Sequence, residues 1–430
     1  MTPNGSDLLD VADRLWTGEL PIEEHHPFRH FGELVRFDDD LAFVASFANV
    51  SALSTAEGLV LVDTGSTFLA ARAHDAIRTW SERPLHTAVF THGHVDHCFG
   101  VDLYEADAAA AGDPAPRVVA HEAIAARFDR YQATNGYNAV INQRQFQNPS
   151  LQWPLEYRYP DETYRDHLTI ELAGERFELH HARGETDDHT WVWVPDRKVL
   201  CCGDLFIWAS PNCGNPQKVQ RYPREWAQAS REMAALGAEI LLPGHGLPIV
   251  GADRVRTALL DVATLLESLH DQTVALMNEG ARLDDIVHTI EYPEELLAKP
   301  YLRPVYDEPE FVVRNVWRLY GGWYDGNPAR LKPPADSDLA REVAALAGGA
   351  DRLADRARSA AEAGDLRLAG QLAEWAVQAD PGLPAAHEAR VSVNRARAEA
   401  EASTMAKGVF SWAASQSGNP DDSGSSKPHG

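Results

Sequence analysis

The segment THGHVDH at residues 91–97 constrains this chain more than any other feature of its sequence. It places three imidazoles and a carboxylate within six residues, directly after the apolar run LHTAVF. With 18 His in 430 residues, three His at these fixed spacings arise by chance roughly 0.03 times in a chain of this length. Imidazole and carboxylate suit borderline divalent metals such as Zn²⁺ or Fe²⁺. The segment therefore predicts a metal centre at a strand end.

Four side chains cannot fill two metal coordination shells, so further ligands are expected downstream. Three positions offer them: Glu185 in HARGETDDH, Asp204 in LCCGDLF and His245 in LLPGHG. Each follows an apolar run and lies beside a glycine that permits a tight turn. Taken alone, Glu185 also fits as a solvated turn acid, Asp204 as a helix cap and His245 as a loop residue. Their order after the first motif favours metal ligation.

The distribution of apolar residues predicts two kinds of architecture. From residue 41 to about 252, apolar runs of four to eight residues alternate with helical stretches, such as 66–81, which indicates an α/β layered domain. From there to about 405 the period is helical throughout, and AAEAGDLRLAGQLAEWAVQADP resembles a single tetratricopeptide-type helix pair. We expect a catalytic domain at 1–252, a helical domain at 253–405 and a disordered, Gly/Ser/Pro-rich tail at 406–430.

Charge and composition exclude several classes of function. The chain has 64 acidic residues against 39 Lys and Arg, a net charge of −25, which disfavours binding to nucleic acid or to anionic membranes. No run approaches the ~18 apolar residues of a membrane span, and the amino terminus lacks the basic and apolar regions of a secretion signal. Four Cys without a C-x-x-C pair form no disulfide framework. We expect a cytoplasmic protein.

The motifs together resemble the metallo-β-lactamase superfamily over residues ~40–250. The resemblance is carried by the strand GLVLVDTG, the loop THGHVDH, the GD turn and the PGHG turn. It implies an αββα sandwich in which Asp63 braces the metal loop. It also implies two divalent ions, expected to be Zn²⁺, with His92, His94 and Glu185 on the first, Asp96, His97 and His245 on the second, and Asp204 between them.

Glu185 and the helical region narrow the resemblance to the type III alkylsulfatases. Most superfamily members have a His where this chain reads Gly184-Glu185-Thr186, whereas the alkylsulfatases have a Glu. The segment PVYDEPEFVVRNVWRLYGGWYDGNPARL at 304–331 resembles the alkylsulfatase dimerisation domain. The resemblance thus spans ~40–410 and implies a homodimer, to which the aromatic run of Trp317, Tyr320, Trp323 and Tyr324 is suited.

Two departures from that family concern the substrate. The third, sterol-carrier-like domain that alkylsulfatases usually carry is not visible here, and their sulfate-binding Asn-Arg pair has no Arg in register. Asn212, Asn215, Lys218 and Arg221 offer an alternative anion clamp. Tyr137, in the segment RYQATNGYNAVINQR, suits a cleft wall that hydrogen-bonds a polar head group.

The leading functional expectation is hydrolysis of an organic sulfate ester by a metal-bound hydroxide. Asp96, Tyr137, Lys218 and Arg221 are the expected catalytic and substrate-contacting residues. Hydrolysis of another ester, a thioester, lactone, phosphodiester or ether is the alternative within the same fold. A non-catalytic scaffold around a vestigial site is a further alternative, against which the complete ligand set argues. His25, His26, His180, His181, Cys201 and Cys202 are expected to be structural.

Overall fold

The computed structural model describes residues 5–418, with the side chains of residues 5 and 6 excepted. It divides into two compact units. The first comprises the chain up to Asn135 together with Pro154–Trp323, and the second comprises Gly136–Trp153 together with the chain from Tyr324 onward.

Two β-sheets form the centre of the first unit. The first sheet runs in sequence order, antiparallel from β1 to β4 and parallel from β4 to β7. Its strands are β1 Glu33–Arg36, β2 Leu41–Ala45, β3 Val50–Thr55, β4 Gly58–Val62, β5 Leu85–Val89, β6 Arg117–His121 and β7 Glu162–Tyr164.

The second sheet has the order β13-β12-β11-β10-β9-β8, with β11 and β12 parallel and the other pairs antiparallel. Its strands are β8 His167–Leu172, β9 Glu175–His181, β10 Thr190–Val194, β11 Val199–Gly203, β12 Ile240–Pro243 and β13 Ile249–Val250.

Helices surround the sheets in the first unit and make up the second. They are α1 Gly5–Thr17, α2 Ala70–Trp80, α3 Val101–Ala111, α4 Ile124–Ala133, α5 Asn135–Phe146, α6 Pro223–Ala234, α7 Ala252–Asn278, α8 Leu283–Thr289, α9 Glu294–Leu297, α10 Pro309–Gly321, α11 Pro328–Leu331, α12 Asp336–Ala347, α13 Ala350–Glu362, α14 Leu366–Ala379, α15 Pro384–Ala400 and α16 Thr404–Gly418.

The alternation of side chains along β2 shows how the layers stack. Ala42 and Val44 pack with helices α2, α3 and α4, whereas Leu41, Phe43 and Ala45 pack toward the second sheet. Both faces of the first sheet are therefore buried, since successive strand residues point to opposite faces. The far side of the second sheet is covered by α6 and α7. This confirms the predicted αββα sandwich followed by an all-helical region.

The division into units differs from the boundary expected at residue 252. Helix α7 begins at Ala252, as the change of period predicts, but Leu259, Leu266 and Leu269 are buried in the same core as the second sheet. Helix α10 contributes Val312, Val313 and Val316 to that core. Amphipathic periodicity predicts that a helix buries one face, but not which neighbour covers it.

The second unit is built on small side chains. Its core includes Ala354, Ala357, Ala373 and Ala376, which allow helices to approach closely. Helix α16 continues to Gly418, whereas the sequence predicts disorder from residue 406. At Gly408 a Cβ would lie 2.2 Å from the carbonyl oxygen of Gln145, so this glycine permits α16 to contact α5. Residues 419–430 of the expected tail lie outside the described residues.

None of the helices within residues 5–418 combines the length and hydropathy that crossing a bilayer requires.

Candidate metal centre

The seven predicted ligands converge at the ends of four strands of the first unit. The loop 92–97 follows β5, Glu185 follows β9, Asp204 follows β11 and His245 follows β12. Their donor atoms form two groups, each with all atoms within 4.8 Å of one another. One group is His92, His94, Glu185 and Asp204, and the other is Asp96, His97 and His245.

Asp204 joins the two groups. Its Oδ2 lies 3.7 Å from His92 Nε2 in the first group and 3.3 Å from His245 Nε2 in the second. Its Oδ1 lies 3.3 Å from His97 Nε2. Glu185 Oε2 lies 3.5 Å from both His92 Nε2 and His94 Nδ1. The carboxylates of Glu185 and Asp204 thus lie close to the imidazole nitrogens, as expected of ligands that share a cation with them.

The hydrogen bonding of the cluster tests whether it fits a metal. Among the described residues, His97 Nε2, Glu185 Oε2 and Asp204 Oδ1 are buried without a hydrogen-bond partner. Each such atom costs about 1–3 kcal/mol when nothing satisfies it. His92 Nε2 and His94 Nδ1 also face each other at 2.8 Å. Divalent cations would satisfy all of these atoms, so the donor set fits divalent metal ions.

Asp63 orients the metal loop, as the resemblance implies. Its Oδ1 accepts the Thr91 backbone N–H at 2.7 Å, and its Oδ2 accepts the Thr91 hydroxyl at 2.8 Å. Oδ2 also contacts His97 Nδ1 at 2.7 Å. With Nδ1 engaged, the opposite nitrogen of His97 faces Asp204 Oδ1 and has the orientation that a metal ligand would need.

Asp188 and Arg127 form a second support of the metal loop. The sequence motifs do not predict this pair. Asp188 Oδ2 accepts the Gly93 backbone N–H at 2.9 Å, and its Oδ1 accepts Arg127 Nε at 2.8 Å. A Cβ on Gly93 would lie 2.8 Å from Arg127 Cδ, so the loop needs glycine here. Asp188 lies three residues after Glu185, which is the one sequence signal that could have found it.

His189 is a further missed residue. Its Nε2 accepts the Asp204 backbone N–H at 3.1 Å, and its ring stacks on His92 with centroids 4.9 Å apart. Burial lowers the pKa of His189 to about 3, so the ring stays neutral and can accept this hydrogen bond.

The residues expected to contact an anionic substrate, Arg221, Lys218 and Tyr137, differ in burial and in position. Arg221 is buried, and its Nη1 donates to Glu185 Oε1 at 2.5 Å and to the Asn212 carbonyl. The structure thus engages Arg221 with a metal-site residue, whereas the sequence predicts a substrate contact. Lys218 is half-buried, and burial together with the charge of Arg221 lowers its pKa to about 8. Tyr137 is 63% exposed on α5 and belongs to the second unit.

An aromatic wall flanks His245. We define it as Phe28, Phe47, Phe68 and Tyr306, which come from four separate segments and therefore give no local sequence signal. Phe28 and Phe47 each present an edge-to-face contact to His245, with centroids 4.5 and 5.7 Å away. Phe68 packs on Phe47 at 5.8 Å while 66% exposed, so the wall leads from the cluster to solvent.

The other histidines and cysteines singled out by the sequence lie apart from the two donor groups. His180 stacks on Trp191 and His181 on His121, while His25 contacts His30 and His26 packs against Phe28. Cys201 and Cys202 are buried free thiols in the core.

Two regions of the chain match known protein families, one in the α/β part and one in the helical part of the sequence. Residues 44–245 match the metallo-beta-lactamase superfamily, and residues 282–419 match the alkyl sulfatase dimerisation family. The chain is 28% identical over 348 residues to a linear primary-alkylsulfatase from Pseudomonas sp.. It is 29% identical over 364 residues to an (R)-specific secondary-alkylsulfatase, also from Pseudomonas sp..

These alignments cover 75% and 78% of this chain but 65% and 54% of the two enzymes, so the chain spans less than two thirds of their length. The solved structure of a stereoselective inverting sec-alkylsulfatase from Pseudomonas sp. is similar, with a TM-score of 0.81 and 26% identity. That match covers 90% of this chain and 65% of the enzyme. The chain thus joins a domain that matches the metallo-β-lactamase superfamily to a helical region that matches the alkyl sulfatase dimerisation family.

Proposed function

We propose that this protein hydrolyses organic sulfate esters at a centre of two divalent ions, which we take to be Zn²⁺. The observation that carries the proposal is the complete set of seven donors with Glu185 in the third position of the first group. His92, His94 and Glu185 would hold one ion, Asp96, His97 and His245 the other, with Asp204 between them. When bound, such ions lower the pKa of water toward neutrality and polarise the ester.

Lys218 is the cation that we assign to the sulfate group. A chain with a net charge of −25 needs a local positive group to attract an anionic substrate. The charges of Asp96 and Glu185 act on the Lys218 amine, which supports this assignment because one residue belongs to each donor group. We assign no role to Tyr137, which lies in the other unit.

The aromatic wall supports an apolar organic group on the substrate. Half-exposed aromatic rings beside a polar centre bury alkyl carbons at about 25 cal/mol per Å². An alkyl chain seated on Phe28, Phe47 and Phe68 would leave its sulfate end at the donors around His245. The names of the curated relatives, primary- and secondary-alkylsulfatase, agree with this substrate class.

Hydrolysis of a neutral ester, a thioester, a lactone, a phosphodiester or an ether by the same centre is the second candidate. It is favoured by the hydrogen bond from Arg221 to Glu185, which engages one of the two cations expected to form the anion clamp. The non-catalytic alternative accords poorly with the donor set, since a decayed site would have lost at least one member.

The test is turnover by the zinc-loaded full chain. We expect sulfate release from linear and secondary alkyl sulfates, abolished by chelation and by Asp204→Asn. A matched control is Asp196→Asn, which changes an acid on the short turn after β10. Turnover of neutral esters or ethers with none of any alkyl sulfate would contradict the sulfatase assignment and leave the second candidate.

We also propose a cytoplasmic homodimer. The four cysteines are free and buried, as in a reducing compartment. Helix α12 exposes Leu339 and Leu346, seven residues apart on one face, within the region matched to the dimerisation family.

A further inference from the structure

The segment 212–221, which we call the brace loop, connects Glu185 to helix α10. Asn212 Nδ2 and Arg221 Nη1 both donate to Glu185 Oε1. Glu185 Oε2 is thereby left for the first donor group, 3.5 Å from His92 Nε2. Glu185 and Arg221 are each about 2% exposed, so this ion pair is shielded from water.

Helix α10 and the residues before it hold both ends of the brace loop. At one end, Asp307 Oδ2 accepts the Gly214 backbone N–H at 2.5 Å. A Cβ on Gly214 would lie 2.2 Å from the backbone of Phe311, so loop and helix are in direct contact. At the other end, Asn315 Nδ2 donates to the Arg221 carbonyl at 2.9 Å, and its Oδ1 accepts the Arg221 N–H at 3.3 Å.

We infer that Arg221, held by Asn315, is a positioning residue that fixes the Glu185 carboxylate for the first metal ion. The inference rests on the proposed metal centre. It gives Arg221 a role in positioning Glu185 and no contact with the substrate. It also gives α10, which lies within the span matched to the dimerisation family, a function in the metal site of its own unit.

Two effects of Arg221 on metal affinity oppose each other. Its charge repels a cation, whereas its hydrogen bond prevents Glu185 from rotating or binding with both oxygens. Loss of groups that orient metal ligands typically weakens metal binding 10–100-fold. Removing Arg221 also removes its repulsion of the cation, which should strengthen metal binding. That gain is smaller than the loss, because direct contact with Glu185 already neutralises the guanidinium charge. Orientation therefore dominates, and removing Arg221 should weaken binding of the first ion.

The experiment is titration of the metal-free full chain with Zn²⁺ against a chromophoric chelator, which needs no substrate. Arg221→Met should weaken one of two binding steps by roughly 10–100-fold and leave the other unchanged. Arg221→Lys should restore part of the loss, and Asn315→Ala should weaken the same step with no change of mass in light scattering. Arg231→Met, which removes a surface ion pair with Glu267, is the matched control.

A double-variant cycle separates positioning from general destabilisation. In a Glu185→Gln background, where the carboxylate that Arg221 orients is absent, Arg221→Met should cause less than about a threefold further loss. Full Zn²⁺ affinity in Arg221→Met with a raised KM for alkyl sulfates would overturn the inference and return Arg221 to the substrate. Absence of Zn²⁺ binding by the unmodified chain would instead overturn the proposed function.

Discussion

Lys218 carries its charge only over part of the accessible pH range. Because burial and Arg221 lower its pKa to about 8, the amine is protonated below that pH and neutral above it. An anionic substrate should therefore bind more weakly as pH rises through about 8. We expect KM for alkyl sulfates to rise between pH 7.5 and 9.5 in the unmodified protein and to stay level in Lys218→Arg, whose guanidinium remains charged.

The control for this prediction is Lys198→Arg, since Lys198 is exposed and pairs with Glu239 on the surface. That variant should keep the pH dependence of the unmodified chain. A rise in KM that persists unchanged in Lys218→Arg would assign the titration to another group.

Phe68 offers a separate test of substrate class at the scale of one side chain. It is the most exposed member of the aromatic wall, so its removal leaves little cavity behind. Phe68→Ala should raise KM for dodecyl sulfate on the order of tenfold, about 1.4 kcal/mol, and change KM for a short-chain sulfate little. Equal effects on both chain lengths would place the alkyl group elsewhere. Phe31→Ala, at an exposed aromatic outside the wall, is the matched control.

Among strands and loops, the clustering of the seven candidate donors could be predicted because they occur in short contiguous motifs at strand ends. Each of the motifs THGHVDH, GD and PGHG can be recognised from a few consecutive residues. Asp188 and Arg127 do not, because they meet across 61 positions and contact the loop through a backbone N–H. The tail illustrates the same limit, since α16 contacts Gln145 at Gly408, and local composition does not report such a contact between distant parts of the chain.

The ends of β6 and β9 carry a pH-sensitive contact. His121 and His181 stack with centroids 3.6 Å apart and planes 8° from parallel. Burial and the charge of His181 lower the pKa of His121, and burial lowers that of His181. The unfolded chain, with His near 6.5, then binds protons that the folded chain does not. Stability should be unaffected above pH ~6.5 and fall as pH decreases below it.

The measurement is the free energy of unfolding from pH 8 to pH 5 in metal-free protein. His121→Gln removes one ring of the stack and should flatten the acid side of the profile, whereas His288→Gln, at an exposed His of α8, should leave it unchanged. An equally steep loss in His121→Gln would assign the acid sensitivity to other buried groups.

For the whole molecule, the two units divide the chain differently from the two matched families. The dimerisation family begins at residue 282, yet α8 to α10 pack in the core of the first unit. The periodicity of 253–405 predicts helices correctly because it reports an apolar face, and it cannot report that Leu259 and Val316 meet a β-sheet core. A unit boundary is set by which faces meet, so it becomes visible only in the fold.

The exposed leucines of α12 predict the interface of a homodimer. Leu346 is 81% exposed and Leu339 42% exposed on one side of α12, and burying both in an interface would remove apolar surface from water. We expect light scattering at micromolar concentration to give twice the chain mass of 47.4 kDa. Leu339→Glu/Leu346→Glu should give one chain mass with Zn²⁺ binding intact, because the proposed metal ligands all lie in the other unit. Arg341→Glu, on a different side of α12, should remain a dimer. A monomeric unmodified chain would refute the dimer, and a dimer that survives both Glu substitutions would place its interface away from this face of α12.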